Sequence, residues 1–183
     1  MKKTLKWITE TAVMLALLIA LQYFTKPLGQ IVTGSCVNMV LAVSALVGGL
    51  SSGVTIAFIS PVLAYLLGIA PQILTVPAIM IGNVLYVLLL CFIVGKKYNS
   101  LVKRAVALVI ASLVKFASLY AIVVWLICDV FAEGLLASGT LKLPMIATLS
   151  VNFGINQLIT ALVGGAVALL IVPVLRKALG KRV

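Results

Sequence analysis

The chain has 183 residues, of which 64% are hydrophobic and 9% charged, with a formal net charge of +11. Soluble domains carry roughly 25% charged residues, so water is the wrong solvent for this sequence, and spans of about 20 apolar residues use up nearly all of its length. The absence of histidine and the presence of only three carboxylates, Glu10, Asp129 and Glu133, remove the usual metal ligands, proton relays and acid–base pairs. We therefore expect no metal, no cofactor and no enzyme.

The first apolar run, Trp7 to Phe24, follows Met1-Lys2-Lys3-Thr4-Leu5-Lys6, as a signal peptide would. It ends on Thr25-Lys26-Pro27 without a small-x-small cleavage site, so it reads as a retained helix. Ala12, Ala16 and Ala20 recur every four residues along it, a smooth stripe that lets a second helix approach closely, from this chain or from another subunit. Thr25 to Gly34, with Pro27 and Gly29, reads as a connector able to cover an outward-facing site.

Two shorter segments follow, Ser35 to Gly48 and Gly53 to Gly68, meeting at Gly48-Gly49-Leu50-Ser51-Ser52-Gly53 as a tight hairpin or a re-entrant element. The fourth and fifth segments are Val76 to Val94 and Ala105 to Cys128. The sixth, Pro144 to Val172, carries Thr148, Asn152, Asn156 and Thr160 at i, i+4 spacing along one face, with Gln157 about 100° away. Cys36, Cys91 and Cys128 show no CxxC spacing and read as small core residues. The expected fold is thus all-α, one transmembrane domain over 1–183 with about six membrane helices.

With the N-terminus cytoplasmic, Lys2, Lys3, Lys6, Lys96, Lys97, Lys103, Arg104, Arg176, Lys177, Lys181 and Arg182 all fall inside. Outside are Lys26, Lys142, Asp129 and Glu133, as the positive-inside rule requires, so both termini are expected in the cytoplasm of a multi-pass cell-membrane protein. These clusters flank apolar segments and suit lipid headgroups; no basic stripe is interleaved with stacking aromatics, which excludes nucleic acid. Tyr23, Phe24, Trp125 and Phe131, near outer ends, fit an aromatic belt.

One cation is left over. Lys115 falls mid-span, with Ser112 and Ser118 about one turn away on either side. A lysine in hydrocarbon costs about 2.5–3.5 kcal/mol on insertion scales, so it either faces a wet cavity, as a cation for an anionic ligand, or snorkels across roughly 15 Å to an interface. Asn38, Asn83, Asn152 and Asn156 are the amides that could share such a cavity, the alternative for each being interhelical hydrogen bonding. No GxxxxGK[ST] loop is present, so ATP hydrolysis, if used, belongs to a separate subunit.

Six spans in a short chain, Ala12-x-x-x-Ala16, the run Val32-Thr33-Gly34-Ser35-Cys36-Val37-Asn38, the glycine-rich turn and Ser60-Pro61-Val62-Leu63-Ala64-Tyr65 together resemble the substrate-binding S components of energy-coupling factor (ECF) vitamin transporters. The resemblance implies a subunit that captures a vitamin or related micronutrient and works with a transmembrane scaffold subunit and two ATPases. It also implies docking of the scaffold on Ala12 and Ala16, with Ala20 as an extension, and a substrate site towards the outer half, between the loop after the first helix and helices four to six, where Asn83, Lys115, Asn152 and Asn156 occupy suitable helices; Asn38 stays a candidate from its residue type alone. A cation at Lys115 is compatible with pantothenate, niacin, folate, biotin or a phosphorylated compound. The competing readings are a stand-alone secondary transporter or channel for a small polar solute, and an assembly subunit without ligand.

Overall fold

The computed structural model describes residues 2–69, 72–95 and 100–180. Lys96, Lys97, Lys181 and Arg182 of the charge count lie outside the described residues. Among the described residues the regular structure is helical: α1 (Lys2–Thr25), α2 (Gln30–Val43), α3 (Leu50–Leu66), α4 (Val76–Val94), α5 (Leu101–Leu119), α6 (Ala132–Ala137), α7 (Leu143–Phe153) and α8 (Ile155–Ala178). Helices satisfy every backbone N–H and C=O internally, which lipid demands of any spanning segment. Five runs, Thr4–Leu28, Gln30–Gly48, Ile73–Val94, Leu101–Val130 and Leu143–Ala178, are long and apolar enough to cross a membrane, and Leu50–Leu66 is a shorter apolar helix. The chain is a multi-pass membrane bundle of about six helices.

The segment boundaries differ from expectation in three places, each for a local reason. The stretch read as a connector is mostly helix: a single 3₁₀ turn, Lys26–Leu28, leads to Gly29, and α2 begins at Gln30. Gly29 has φ 89° and ψ 171°, a region open essentially only to glycine, so one residue makes the whole corner. Gly49, at φ 90° and ψ 174°, repeats the device at the other end, where the π-helical turn Ser44–Gly48 that continues α2 hands over to α3. The glycine-rich run is therefore a one-residue corner between two helices. Finally, the sixth segment is two helices, broken at Gly154, where an added Cβ would fall 2.6 Å from the Ser150 carbonyl oxygen.

The tightest packing is between α2 and α8. Between membrane helices the hydrophobic effect supplies little, and close backbone approach between small residues does the work. Gly164 faces the backbone of Ser35 and Met39, and Gly34 faces Thr160 closely enough that a Cβ there would sit 2.9 Å from its methyl. Gly165 similarly admits Leu108 and the Tyr86 hydroxyl.

Two apolar clusters result. The larger joins Leu18, Leu41, Ile56, Tyr86, Leu90, Leu108 and Ala161; the smaller joins Ala78, Leu119, Val123, Leu141, Leu149 and Phe153. The second is built largely from α7 and from Tyr120–Val130, a π-helical continuation of α5 closed by Phe131 N–H donating to Leu126 O at 3.0 Å. Tyr23, Phe24, Trp125 and Phe131 are all exposed, as a belt at a membrane–water boundary would be.

Candidate functional site

Lys115 is the centre of the site. Its side chain, carried by α5 and 2% exposed, is met from α2 and α4. Nζ donates to Asn38 Oδ1 of α2 at 2.6 Å and to Asn83 Oδ1 of α4 at 2.7 Å. It also lies 5.4 Å from the centroid of the Tyr86 ring, within cation–π range. Snorkelling is thereby excluded: the amine is held in the interior.

The partners are themselves fixed. Asn38 Nδ2 donates to Gly34 O at 2.9 Å and to Thr160 Oγ1 of α8 at 3.3 Å, and Thr160 Oγ1 donates to Gln157 O at 3.2 Å. The Tyr86 hydroxyl donates to Ala161 O at 3.2 Å. Each amide therefore presents its oxygen to the lysine, and Asn38 spends its donors on α2 and α8. Ser118, in the expected polar strip, turns back to Lys115 O at 2.8 Å, and Ser112 is buried with its hydroxyl unpartnered.

This network forms one wall of a cavity of about 110 Å³. Asn38, Asn83 and Lys115 line it together with Gln22 of α1, Gln30, Thr33, Gly34 and Val37 of α2, Ser60, Pro61 and Ala64 of α3, and Gln157 of α8. Ile69, Ile79, Leu119 and Phe153 supply apolar surface. Leu119 and Phe153 belong to the smaller apolar cluster and Val37 packs on the larger, so the cavity sits at their seam. Among the described residues no carboxylate lines it, and Lys115 is the one ionisable group that does.

Of the residues expected from sequence, Asn38, Asn83 and Lys115 come together, and Asn152 and Asn156 do not join them. Both are half-buried and neither lines the cavity. The i, i+4 stripe presumed an unbroken helix; the break at Gly154 resets the face, and Gln157, 6% exposed, points inward in place of Asn156. The cavity-lining polar residues that sequence reasoning missed are Gln22, Gln30, Thr33 and Ser60, while Gln157 reads in the sequence as off the stripe. Gln30, Thr33, Gly34, Val37 and Asn38 keep i, i+3, i+4, i+7, i+8 spacing, a helical face visible once α2 starts at Gln30.

A second concavity lies on the outside of the bundle. Ala12, Ala16 and Ala20 are exposed and form, with Leu15 and Ile19, one side of a groove whose other side is Leu63 of α3 and Leu67 just past its end. Few of the residues of α1 are buried, and a Thr11–Ser52 hydroxyl pair at 2.9 Å ties it to α3.

The family model described as ECF transporter, substrate-specific component, matches residues 6–176. No curated protein and no solved structure matches.

Proposed function

The chain belongs to the family of ECF transporter substrate-specific components, and from that premise we propose that it captures a small anionic micronutrient of the vitamin class for ATP-driven import. The observation that carries the proposal is the buried Lys115 amine on the wall of a cavity without carboxylates. A charge at membrane depth is tolerated when it is paired or faces a polar cavity. As an ammonium, Lys115 has three N–H groups; Asn38 and Asn83 take two, and the third is available to a ligand carboxylate or phosphate. Binding such an anion replaces an unpaired cation by a charge-assisted hydrogen bond, the stronger kind.

In this reading Asn38, Asn83 and Lys115 bind substrate, and Asn152 and Asn156, off the cavity wall, do not. Ala12, Ala16 and Ala20 receive a transmembrane scaffold subunit, which carries two ATPases. The exposure of all three alanines beside Leu63 and Leu67 supports this, because small residues let a partner helix approach closely. The charge count supports both termini in the cytoplasm. The chain binds and presents substrate; it performs no chemistry of its own.

The test compares acid and amide forms of one molecule on the purified protein: nicotinate against nicotinamide, and biotin against biotinamide, by equilibrium titration. Preference for one acid over its amide is expected, together with uptake into vesicles that needs ATP and the partner subunits. Preference for amides would overturn the anionic reading. Ion-gradient-driven uptake by the chain alone would establish a stand-alone transporter instead.

A further inference from the structure

Beyond Lys115, the cavity lining holds two unpaired polar atoms. Gln22 Oε1 and Thr33 Oγ1 are both shielded from solvent and both without a hydrogen-bond partner, and both residues line the cavity. Buried polar atoms are nearly always paired, so two orphans facing one space call for a partner in that space. Thr33 is the more telling. The hydroxyls of Thr9, Thr25, Ser35 and Thr148 each bond the carbonyl four residues back, at 2.6–3.0 Å, the usual resort of a helical Ser or Thr. Thr33 is 9% exposed and makes no such bond.

We propose that the site is bipolar: it takes a compact monoanion whose far end carries a hydroxyl or N–H donor, with Lys115 meeting the anion and Gln22 and Thr33 meeting the donor. The inference rests on the anionic reading above and adds to it a second subsite and a length. Asn38, which holds the lysine, and Thr33 lie five residues apart on α2, an axial rise of about 7.5 Å. Gln22 Oε1, as oriented, accepts, so a ligand donor is its match; Thr33 can then accept or donate as the ligand requires. Leu119 and Phe153 add apolar surface to the same cavity. A cavity of about 110 Å³ is well under the volume that drug-sized ligands fill, so a compact ligand matches it best.

The probes are 6-hydroxyhexanoate, whose carboxyl carbon and hydroxyl stand about 7.5 Å apart when extended, hexanoate, and the uncharged 6-hydroxyhexanamide. Each is titrated into the purified full chain in nanodiscs. We expect 6-hydroxyhexanoate to bind about 2- to 10-fold more tightly than hexanoate, the worth of one buried hydrogen bond. That advantage should vanish in the Gln22→Met/Thr33→Val double variant, while hexanoate binding stays within about twofold of the parent. Thr33→Ser, which keeps a hydroxyl, should retain the advantage and guards against a variant that merely misfolds. Equal binding of the two acids, or an advantage that survives in the double variant, overturns the second pole and leaves the anionic reading standing. An amide that binds as well as its acid, or a series in which no acid saturates, overturns both.

Discussion

The wall around Lys115 and the outer face of α1 belong to the same bundle, and they solve opposite problems. At the wall, α2, α4, α5 and α8 are locked by glycine-mediated contact and by a chain of hydrogen bonds from Gly34 through Asn38, Lys115 and Asn83. In the α2 run 61% of the most apolar window is buried, and in α1 only 11%. A recognition site gains affinity when its groups are held in place before the ligand arrives, whereas a docking surface must stay uncovered until its partner does. The difference between the two regions implies that damage to one should spare the other.

The largest break in that comparison is Gly164→Leu. A side chain there meets the backbone of Ser35 and Met39, which cannot yield as a flexible side chain would. We expect a loss of about 3 kcal/mol or more, seen as a large fall in the unfolding midpoint or as no folded protein in detergent. Next is Lys115→Met, which keeps the volume but leaves Asn38 Oδ1 and Asn83 Oδ1 without their donor. Each orphaned acceptor costs about 1–3 kcal/mol, partly recovered if water enters the cavity. Binding of an anionic ligand should fall about 10- to 100-fold, the worth of a charge-assisted bond, while docking to the scaffold subunit is retained.

On the α1 side the expected pattern is reversed. Ala16→Trp fills the exposed groove between α1 and α3 and touches nothing in the core. The unfolding midpoint should stay within the roughly 0.5 kcal/mol typical of surface changes. Ligand binding should be intact, and recovery of the scaffold and ATPase subunits on co-purification should be lost. An Ala16→Trp protein that still recovers its partners would place docking on another face.

The same two regions show what was legible in the sequence. Composition and punctuation suffice for the all-α membrane class, because apolar runs of span length have no other stable home. Lys115 stands out because a mid-span cation must be accounted for. Asn38 and Asn83 followed as amides in neighbouring segments. The misses share one cause, which is backbone direction at glycine. Gly29 and Gly34 read alike as loop residues, yet the first is a corner and the second a helix-packing surface. Reading Gly34 as the end of a connector hid the Gln30–Thr33 face. Gly154 reads as helix interior and is a break, which turned attention to Asn156 when Gln157 faces the cavity. The stripe Ala12, Ala16, Ala20 was legible as a stripe; its exposure was not, because exposure depends on where the other helices go.

Thr11→Val is the smallest expected effect and the sharpest test of how loosely α1 is held. The Thr11 hydroxyl donates to Ser52 Oγ at 2.9 Å, a buried bond that crosses from α1 to α3. Interhelical bonds of this kind in membranes average about 0.6 kcal/mol, because the separated helices find other partners. Valine matches threonine in shape, so packing is preserved and the change isolates the bond. The midpoint should therefore fall only slightly. Ligand affinity should be unchanged, since neither residue lines the cavity. Thr160→Val removes a hydroxyl of similar burial from the other region, and the two losses should differ. Thr160 Oγ1 both accepts from Asn38 and donates to Gln157 O, so its removal frees the amide that positions Lys115. Weaker anion binding is expected from Thr160→Val and none from Thr11→Val. Equal effects from the two would mean that α1 is as much a part of the binding wall as α2 and α8, and that docking on its outer face reads the occupied site directly.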